Sequence, residues 1–570
     1  MDKKQVAQIL EEIGTLLELK GEISFKFQAY LRAARSIDSL TDEIDVYVKE
    51  GRLREIPGVG EGLAEKITEL VITGKLKYLE ELKKSFPESL LQLLQIQGLG
   101  PKKVKILYEK LKIKSVAELE KACQEGKLLK LEGFAEKTIE NILKGIEHLK
   151  KHSGYSLYSN ALAEAEKIYD KLSNHPKTIR ISLAGSLRRH KEIIRDIDIL
   201  VSSKNPEAIM ETFTELDSVE TVTAKGETKS SVLLKSGIQA DLRVVSDTEF
   251  PYALHHFTGS KEHNTAMRGR AKQMGMKMNE YGLFKEPSDK LIPCKDEEEI
   301  FKKLGLSYIP PELRENMGEI EAAEKEEIPD LIEEKDIRGV FHTHSLYSDG
   351  AATVEEMAKE AKRLGLEYIG LSDHSQSAAY AHGMEPERLK KQWKEIDEIN
   401  KRLKGIRILK GSEVDILGDG SLDYDDDILA ELDFVIASVH SRFTMSESEM
   451  TQRIIKAIQN KQTTMLGHMT GRLLLGREGY HLNHKEVFQA AKDYGVMIEL
   501  NANPHRFDVD WRYGRDLKGL GIKVSINPDA HKVKGIADYR FGVGIARKAW
   551  LEKKDVFNTM GLEQVLKVLQ

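Results

Sequence analysis

The spacing of apolar residues changes twice along the chain, and each change indicates a different kind of structure. Up to residue 150, apolar residues recur every three or four positions, as in residues 6–22 and 25–40, which predicts helices. From residue 151 to 250, a helical stretch precedes apolar and alternating strands, which predicts an α+β domain. After residue 336, short apolar strands alternate with amphipathic helices, which predicts a parallel sheet closed into a barrel.

The length and composition are those of a soluble protein with several domains. At 570 residues the chain is too long for one core, and 40% hydrophobic residues exclude a disordered chain. It has no apolar run that could span a bilayer, no signal peptide and only two cysteines, so we expect a cytoplasmic protein with no membrane partner. The net charge of −6 does not exclude nucleic acid, because an average over domains can conceal a basic surface.

Two glycine-rich turns between helical stretches predict helix–hairpin–helix motifs, PGVG at 57–60 and GLGP at 98–101. Their glycines let backbone N–H groups approach a DNA phosphate at the start of the next helix, without reading the base sequence. An ordinary helix connection is the alternative, but the tandem repeat favours DNA binding. A degenerate third copy near Gly133 is interpreted as packing. The predicted DNA-contacting residues of the two turns are Gly58, Gly60, Gly98, Gly100, Lys102 and Lys103.

A strand in the α+β region carries two carboxylates among apolar residues. Asp196 and Asp198 lie two positions apart and therefore on the same face of the strand. Adjacent like charges raise each other's pKa unless a cation lies between them, and Mg²⁺ takes carboxylate oxygens together with substrate phosphates. Asp241, in a later alternating strand, supplies a third carboxylate, so that two cations could bind. A solvated edge strand with incidental acids is the alternative for the pair alone.

Residues 1–317 resemble the family X DNA polymerases of the DNA polymerase beta type. The resemblance rests on a Gly-Ser turn at 185–186, where Arg188 and Arg189 add charge for a triphosphate, on the three aspartates, and on HHFTGSKEHNTAMRGRA at 255–271. It implies a nucleotidyltransferase palm in which the aspartates catalyse with Mg²⁺ or Mn²⁺, and gapped or primer–template DNA and dNTPs as substrates. The nucleotide-binding residues that it implies are Gly185, Ser186, Arg189, Phe257, Thr258, Gly259, Asn264 and Arg268.

Some positions depart from the polymerase beta pattern. His256 stands where the beta branch has the tyrosine that, with Phe257, excludes the ribose 2′-hydroxyl, which leaves sugar discrimination open. Lys66 matches the family's Schiff-base lysine and Lys26 matches a 5′-phosphate contact, whereas Gly62 stands where the beta branch has another lysine. A deoxyribose-phosphate lyase activity at Lys66 is therefore a secondary prediction, with a phosphate contact or a solvated charge as the alternative.

Polar residues collect at the ends of the apolar strands after residue 336, where ten of the 17 histidines lie. Barrel enzymes keep their sites where the strands end, so we expect these residues to share one face. So many imidazoles and carboxylates indicate metal, and mixed N/O ligation fits Zn²⁺, Mn²⁺ or Fe rather than Mg²⁺ alone. The candidate ligands are His342, His344, Asp349, His374, Glu413, His440, His468, Asp529 and His531.

The segments that carry these ligands resemble the polymerase and histidinol phosphatase (PHP) domain, which implies a distorted (β/α)7 barrel with up to three divalent ions. The resemblance assigns His342, His344, Glu413 and Asp529 to one ion, Asp349, His374 and His531 to a second, and His440 and His468 with a bridging Glu413 to a third. All nine positions hold ligand-competent residues, which predicts a phosphoesterase that directs hydroxide at a phosphodiester. Asn501, Asn503 and Arg506 are weaker candidates for substrate contact.

We therefore predict a DNA-directed DNA polymerase, acting as a monomer, that fills short gaps in repair and has 3′→5′ exonuclease activity in the barrel. One alternative is a repair nuclease that cleaves abasic sites or processes 3′ ends; another is a barrel that only stabilises the polymerase. Residues 318–336 contain nine acids and two lysines, which predicts a solvated linker. The predicted parts are helical DNA-binding domains at 1–84 and 85–150, the palm at 151–250, a nucleotide-selection subdomain at 251–317, the acidic linker at 318–336 and the barrel at 337–570.

Overall fold

The computed structural model describes residues 3–38, 40, 44–96, 99–152 and 154–569. It divides into two compact units, residues 1–153 and 154–570. Gly98, one of the predicted hairpin glycines, lies outside the described residues. No helix within the described ranges combines the length and the apolar character that a membrane crossing requires.

The first unit is helical over its described residues, as the apolar spacing predicts. Its α-helices are α1 (Lys3–Lys20), α2 (Ser24–Asp38), α3 (Ile44–Lys49), α4 (Glu61–Thr73), α5 (Lys77–Lys84), α6 (Glu88–Leu91), α7 (Pro101–Leu111), α8 (Val116–Gln124) and α9 (Glu136–Lys151). Two apolar cores fill the unit, one up to Leu82 and one mainly over residues 90–146. Helix α1 contributes Leu17 to the first core and Leu19 to the second, so that it joins the two halves.

The second unit begins with the palm, which contains a five-stranded sheet. Its elements are β1 (Ser156–Leu157), α10 (Tyr158–Ser173), β2 (Arg180–Leu183), α11 (Gly185–Arg188), β3 (Ile193–Ile194), β4 (Asp196–Ser202), α12 (Pro206–Thr214), β5 (Val219–Lys225), β6 (Lys229–Leu234) and β7 (Gln239–Val245). The strand order is β2-β4-β7-β6-β5, antiparallel except where β4 runs beside β7. Ile197, Ile199 and Val201 pack in the same core as helices α10 and α12, so Asp196 and Asp198 face the opposite side of the sheet.

A small helical domain with a three-stranded sheet follows the palm. Its elements are α13 (Phe250–Thr258), α14 (Lys261–Gln273), β8 (Met276–Asn279), β9 (Gly282–Lys285), β10 (Lys290–Leu291), α15 (Glu297–Lys303) and α16 (Glu319–Glu324). Helix α16 lies inside the stretch predicted as a solvated acidic linker, and the structure contradicts its solvation. Ile320 and Ala323 are buried in this domain's core, and the buried Glu319 accepts from His263 Nδ1 at 2.7 Å. The count of acids could not reveal a partner that lies 56 residues upstream.

The last part is the predicted barrel. Its elements are β11 (Gly339–Thr343), α17 (Val354–Arg363), β12 (Tyr368–Leu371), α18 (Pro386–Arg402), β13 (Arg407–Asp415), α19 (Asp426–Leu429), β14 (Phe434–Ser438), α20 (Glu447–Ile458), β15 (Met465–Leu466), α21 (His484–Tyr494), β16 (Met497–Asn501), α22 (Gly514–Leu520), β17 (Val524–Asn527), α23 (Tyr539–Lys548) and α24 (Leu562–Leu569). Seven parallel strands follow one another in chain order. Thr343 pairs with Ala530, just after β17, which brings the last strand back to the first.

Alternate strand residues divide the barrel into an inner and an outer apolar layer. Phe341, Tyr368 and Phe434 belong to an inner cluster, whereas Val340 and Ile369 belong to the larger core that includes the surrounding helices. This period of two is the one that a parallel barrel requires. The inner layer closes the barrel below the strand ends, and the polar residues that follow each strand therefore gather above it.

Two candidate metal centres

The three palm aspartates lie together on the neighbouring strands β4 and β7. Asp198 pairs in register with Asp241 across the two parallel strands, and Asp196 precedes Asp198 by two residues on the same face. Gly185 lies directly beside this group. A Cβ at this position would lie 2.0 Å from Asp198 Oδ2, so the space beside the carboxylate admits only glycine. Gly185 also has φ +60°, so both its backbone and the space beside it require glycine. The Gly-Ser turn and the aspartates thus form one site.

Burial and mutual repulsion raise the pKa values of two of the three aspartates. Burial, followed by the charges of Asp196 and Asp241, raises the pKa of Asp198 to about 7. Burial and Asp241 also raise the pKa of Asp196. Lys229 Nζ lies 3.1 Å from Asp241 Oδ2 and offsets part of the repulsion. Sites with only oxygen ligands suit Mg²⁺ or Mn²⁺. A bound cation would remove the repulsion that raises these pKa values.

The predicted nucleotide-binding residues converge on the same turn. Arg189 Nη1 donates to the carbonyl of Thr258 at 2.7 Å, which ties the turn to the end of α13. Asn264 Nδ2 donates to the carbonyls of His256 and Gly259 at 2.6 and 3.1 Å, and its buried Oδ1 has no partner among the described residues. A buried amide oxygen without a donor is available to a ligand.

The side chains of Arg268, Phe257 and Arg188 differ in their contacts. Arg268 is exposed, and among the described residues its side chain donates to Thr265 Oγ1 at 3.4 Å. The Phe257 ring lies under the guanidinium of Arg243 at 4.4 Å. Arg188 does not serve as free charge for a triphosphate, because its guanidinium donates to Thr258 Oγ1 and to Glu297, each at 2.6 Å. The sequence could not indicate this, since Glu297 lies 109 residues downstream.

The nine predicted ligands of the barrel lie together at the carboxyl ends of its strands. Glu413 is at their centre. Its Oε1 lies 2.9 Å from His468 Nε2 and 3.2 Å from His440 Nε2, and its Oε2 lies 3.0 Å from His374 Nδ1. Four groups among the described residues each bring one ligand atom per residue within 4.8 Å of the others. They are His344/Asp349/His374/His531, His342/Glu413/His468, His342/His344/Asp529 and His374/Glu413/His440. His440 and His468 fall in different groups here, whereas the family resemblance assigns both to one ion.

A bulge in β11 directs the first histidine into this cluster. The register shifts between Val340 and Thr343, and His342 has φ +56°. The bulge breaks the alternation, so that consecutive Phe341 and His342 both face the barrel interior. Asp529, across the cluster, has φ +50°. Strained backbone at two facing ligands indicates a functional constraint, since such conformations persist only where surrounding contacts impose them.

Buried ring nitrogens without partners show that the cluster fits metal. Within the described residues, His342 Nε2, His468 Nδ1 and both ring nitrogens of His344 are buried with no hydrogen bond. Burial lowers the pKa of His374 to about 4, which keeps its imidazole in the neutral form that binds metal. Although burial acts against it, Glu413 and then Asp415 raise the pKa of His440 to about 9. Nitrogen and carboxylate ligands at one dry site suit divalent transition metals.

Three carboxylates that sequence reasoning did not identify hold the ligands in place. Glu499 accepts from His342 Nδ1 at 2.6 Å, and Asp415 accepts from His440 Nδ1 at 2.6 Å. Asp373 is fully buried next to the ligand His374 and accepts from the backbone N–H of Ser345 at 2.7 Å. The available signal was a carboxylate inside an otherwise apolar strand, as in IEL at 498–500.

The mouth of the cluster carries groups suited to a nucleotide. Arg506 Nε lies 3.2 Å from Asp529 Oδ2, so this weaker candidate does reach the site. Asn501 Nδ2 donates to the same carboxylate at 3.1 Å, whereas Asn503 accepts from the N–H of His505 at 3.0 Å and shapes the loop. Tyr380, which was not predicted, is 66% exposed, and its ring centroid lies 6.1 Å from that of the ligand His374.

Within the described residues, three turns of the first unit share one kind of backbone hydrogen bond. The backbone N–H groups of Val59, Leu99 and Phe134 donate to carbonyls three residues earlier, at 3.0, 3.0 and 3.3 Å. Gly58 and Gly133 have φ +83° and +85° in equivalent positions. The third hairpin, interpreted as packing, thus has the same turn as the first, although it lacks the second glycine of the motif.

Helices begin directly after the predicted turns. Gly60 precedes α4 and Gly100 precedes α7, and neither helix start has a side-chain cap. The first N–H groups of α4 are therefore open to an anion, whereas α7 begins with Pro101, which has no N–H to offer. Lys102 is exposed and Lys103 partly exposed in the first turn of α7. DNA contact by these residues stays a prediction.

The two lysines predicted from the lyase resemblance have local partners. Lys66 Nζ donates to the carbonyl of Gly62 at 3.1 Å and lies 5.1 Å from the centroid of the Tyr78 ring. Both contacts engage the Nζ atom that a Schiff base would use. Lys26 pairs with Glu22 at 3.1 Å on the surface.

Comparisons with known proteins agree with this division of the chain. Residues 1–76 match a helix-hairpin-helix domain, residues 90–147 a SAM-like helix-hairpin-helix tandem, residues 253–315 the DNA polymerase beta thumb and residues 341–503 the PHP domain. The fold and the two centres thus define a DNA polymerase beta-like nucleotidyltransferase joined to a PHP domain.

Full-length and partial relatives are known. The DNA polymerase/3′-5′ exonuclease PolX of Bacillus subtilis (strain 168) is 38% identical over 571 residues, which is 99% of both chains. The chain belongs to this PolX family. A probable phosphatase of Thermoanaerobacter sp. (strain X514) is 30% identical over 233 residues, 38% of this chain and 89% of that protein. A probable phosphatase of Acetivibrio thermocellus is 32% identical over 204 residues, 33% of this chain and 78% of that protein.

The raised pKa of Asp198 predicts a stability difference that depends on pH. The folded-state pKa of Asp198, about 7, is above the ordinary aspartate value of 3.8, so folding is penalised as pH rises through this interval, and the penalty is complete above pH 7. In EDTA, Asp198→Asn should raise the free energy of unfolding by about 2 kcal/mol at pH 8 and by less toward pH 5. Urea denaturation measures this, with the exposed Asp217→Asn as control. Equal gains at both pH values would contradict the assignment, and Mg²⁺ should stabilise only the wild type.

Glu499 predicts an effect on metal affinity at the barrel. Glu499→Gln keeps the side-chain shape but weakens the acceptor for His342 Nδ1, so we expect Mn²⁺ affinity to fall about 10- to 100-fold. Competition with a chelator measures this affinity. Glu431→Gln, on the barrel surface, should leave it unchanged. An unchanged affinity in Glu499→Gln would show that this carboxylate does not support a bound ion.

Proposed function

We propose that the chain synthesises DNA at the palm, degrades it 3′→5′ at the barrel, and fills short gaps during repair. The observation that carries the proposal is the presence of two separate centres in one chain. One is an oxygen-only group of aspartates backed by a nucleotide-binding turn, and the other is a buried cluster of imidazoles and carboxylates. The membership in the PolX family supports both activities. The proposed substrates are gapped DNA and dNTPs.

At the palm, Asp196, Asp198 and Asp241 would hold Mg²⁺ or Mn²⁺. Bound divalent cations would supply Lewis acidity at both centres, which activates an oxygen nucleophile and neutralises phosphate charge. Asp198, with its pKa of about 7, must give up its proton when a cation binds. The turn that starts at Gly185 offers backbone N–H groups to the triphosphate, while the Arg189 side chain orients that turn against Thr258.

At the barrel, Glu413 and the surrounding histidines would hold Mn²⁺, Zn²⁺ or Fe at up to three positions. Arg506 lies beside Asp529 and can donate to a phosphate oxygen of the strand being cut. Tyr380 offers an exposed ring at the mouth, on which the terminal base can stack. The chain thus provides a phosphate site and a base site side by side, which suits a DNA 3′ end better than a small phosphate ester.

Removal of 3′-blocking groups is a second candidate for the barrel. It is favoured by the matches between the barrel and proteins named probable phosphatases. Cleavage at abasic sites would use the same ligands. Lyase activity at Lys66 has weaker support, because its Nζ atom is engaged with the carbonyl of Gly62 and the ring of Tyr78. A purely structural barrel is disfavoured by the buried imidazole nitrogens without partners.

Crossed variants test the two main activities. Asp198→Ala should abolish primer extension on gapped DNA, by about 10³-fold or more, and spare degradation; His344→Ala should do the reverse. A time course with Mg²⁺ and Mn²⁺ follows both activities in one reaction. Parallel DNAs with an abasic site or a 3′-phosphate show whether His344→Ala also removes end processing. Survival of both activities in both variants would overturn the site assignments.

Tyr380 tests whether the barrel recognises a base. Tyr380→Ala should raise the KM for an oligonucleotide 3′ end about tenfold, because stacking contributes about 1–3 kcal/mol per base, while Tyr380→Phe should retain it. The effect should shrink on the same oligonucleotide ending in an abasic nucleotide. Tyr494→Ala, another exposed tyrosine of the barrel, is the control. Equal losses on both termini would exclude base stacking.

A further inference from the structure

A buried lysine of the barrel contacts residues of the polymerase part of the chain. Lys548 ends helix α23 of the barrel and is only 1% exposed. Its ammonium group donates to Glu315 Oε1 at 2.6 Å, to the carbonyl of Arg189 at 3.1 Å and to the carbonyl of Glu312 at 3.2 Å. All three acceptors belong to the polymerase part of the chain, and one lies in the nucleotide-binding turn itself.

These contacts continue to the predicted nucleotide site. Glu315 also accepts from Arg189 Nε at 3.0 Å, and Arg189 Nη1 donates to the carbonyl of Thr258. Lys548 therefore holds both the backbone and, through Glu315, the side chain of Arg189. Burying an ammonium group is costly unless its hydrogen bonds are complete, so this lysine has a defined geometry rather than a loose ion pair.

A second set of barrel residues holds the other end of the same palm segment. Glu192, buried just before β3, lies 3.7 Å from both Arg472 and Arg512. Asp510 fixes those two guanidinium groups at 2.6 and 2.7 Å. Arg472 lies four residues after the ligand His468, and Glu192 lies four residues before Asp196. The segment between the nucleotide turn and the catalytic aspartates is thus attached to the barrel at both ends.

The packing between these attachments is close. His190 stacks on Tyr158 with ring centroids 5.0 Å apart, and its other side lies against α23. A Cβ at Gly544 would lie 2.1 Å from His190 Nδ1, so only glycine permits this approach. An ordinary domain interface would explain apolar packing, but it would not require two backbone carbonyls and Glu315 to converge on one buried ammonium group.

We propose that Lys548 is a positioning residue for DNA synthesis: the barrel holds the nucleotide-binding turn in its working geometry through the Lys548–Glu315–Arg189 network. This role rests on the polymerase function proposed above. It makes the barrel part of nucleotide binding, independently of any phosphodiester cleavage at its own centre.

Steady-state primer extension by the full chain tests this role. Lys548→Met keeps the length of the side chain and removes its three hydrogen bonds, so the KM for dNTP should rise about tenfold or more while kcat changes less than threefold. Exonuclease activity of the same preparation should be unchanged, which shows that the barrel remains folded. Lys518→Met is the matched control, because Lys518 contacts only the barrel residues Glu552, Trp550 and Asp555 among its described partners.

A variant on the polymerase side keeps the test independent of barrel folding. Glu315→Gln should raise the KM for dNTP similarly, and the double variant should be no worse than the more severe single one, since both act through Arg189. An unchanged KM in Lys548→Met, additive effects in the double variant, or parallel loss of exonuclease activity and kcat would each overturn the proposal. If the wild type itself extends no primer, the proposed polymerase function fails instead.

Discussion

Ionisable groups held together in a poorly solvated place are the constraint on which both centres depend. In the palm, Asp198 and Asp241 face each other in strand register, and the pKa of Asp198 rises to about 7. In the barrel, Glu413 and Asp529 lie among imidazoles, and His342, His344 and His468 each keep a buried ring nitrogen without a hydrogen bond within the described residues. Although burial acts against it, the neighbouring histidines hold the pKa of both carboxylates well below the usual range. Cations would relieve the repulsion in the palm and would bind the unpaired nitrogens in the barrel, so the two centres favour metal for different reasons.

The scaffold supplies this constraint by simple means. Parallel register between β4 and β7 aligns the palm carboxylates, and a bulge at His342 directs a ligand inward from the first barrel strand. Outer carboxylates then orient the imidazoles, as Glu499 does for His342. The palm and the barrel belong to one compact unit, residues 154–570, in which Lys548 of α23 donates to the carbonyl of Arg189. Both centres therefore lie in the same unit.

Apolar periodicity was sufficient for the fold class, and residue type selected the candidate ligands that the structure brings together. A period of two in β4 already places Asp196 and Asp198 on one face, and strand-end histidines already indicate the barrel site. What could not be predicted depends on contacts between distant positions. Glu319 is buried because His263 is its partner, Arg188 is engaged by Glu297, and Lys548 reaches Glu315 across a domain boundary. No local pattern distinguishes these residues from solvated charges.

The metal content of the full chain tests the central claim most directly. After loading with Mn²⁺ or Zn²⁺ and gel filtration, mass spectrometry should find close to three ions per chain. Glu413→Gln should lose most of them, because Glu413 lies within 3.7 Å of five of the candidate histidine ligands. Fewer than one ion per chain, or a content that Glu413→Gln leaves unchanged, would contradict the account of the barrel as a metal centre.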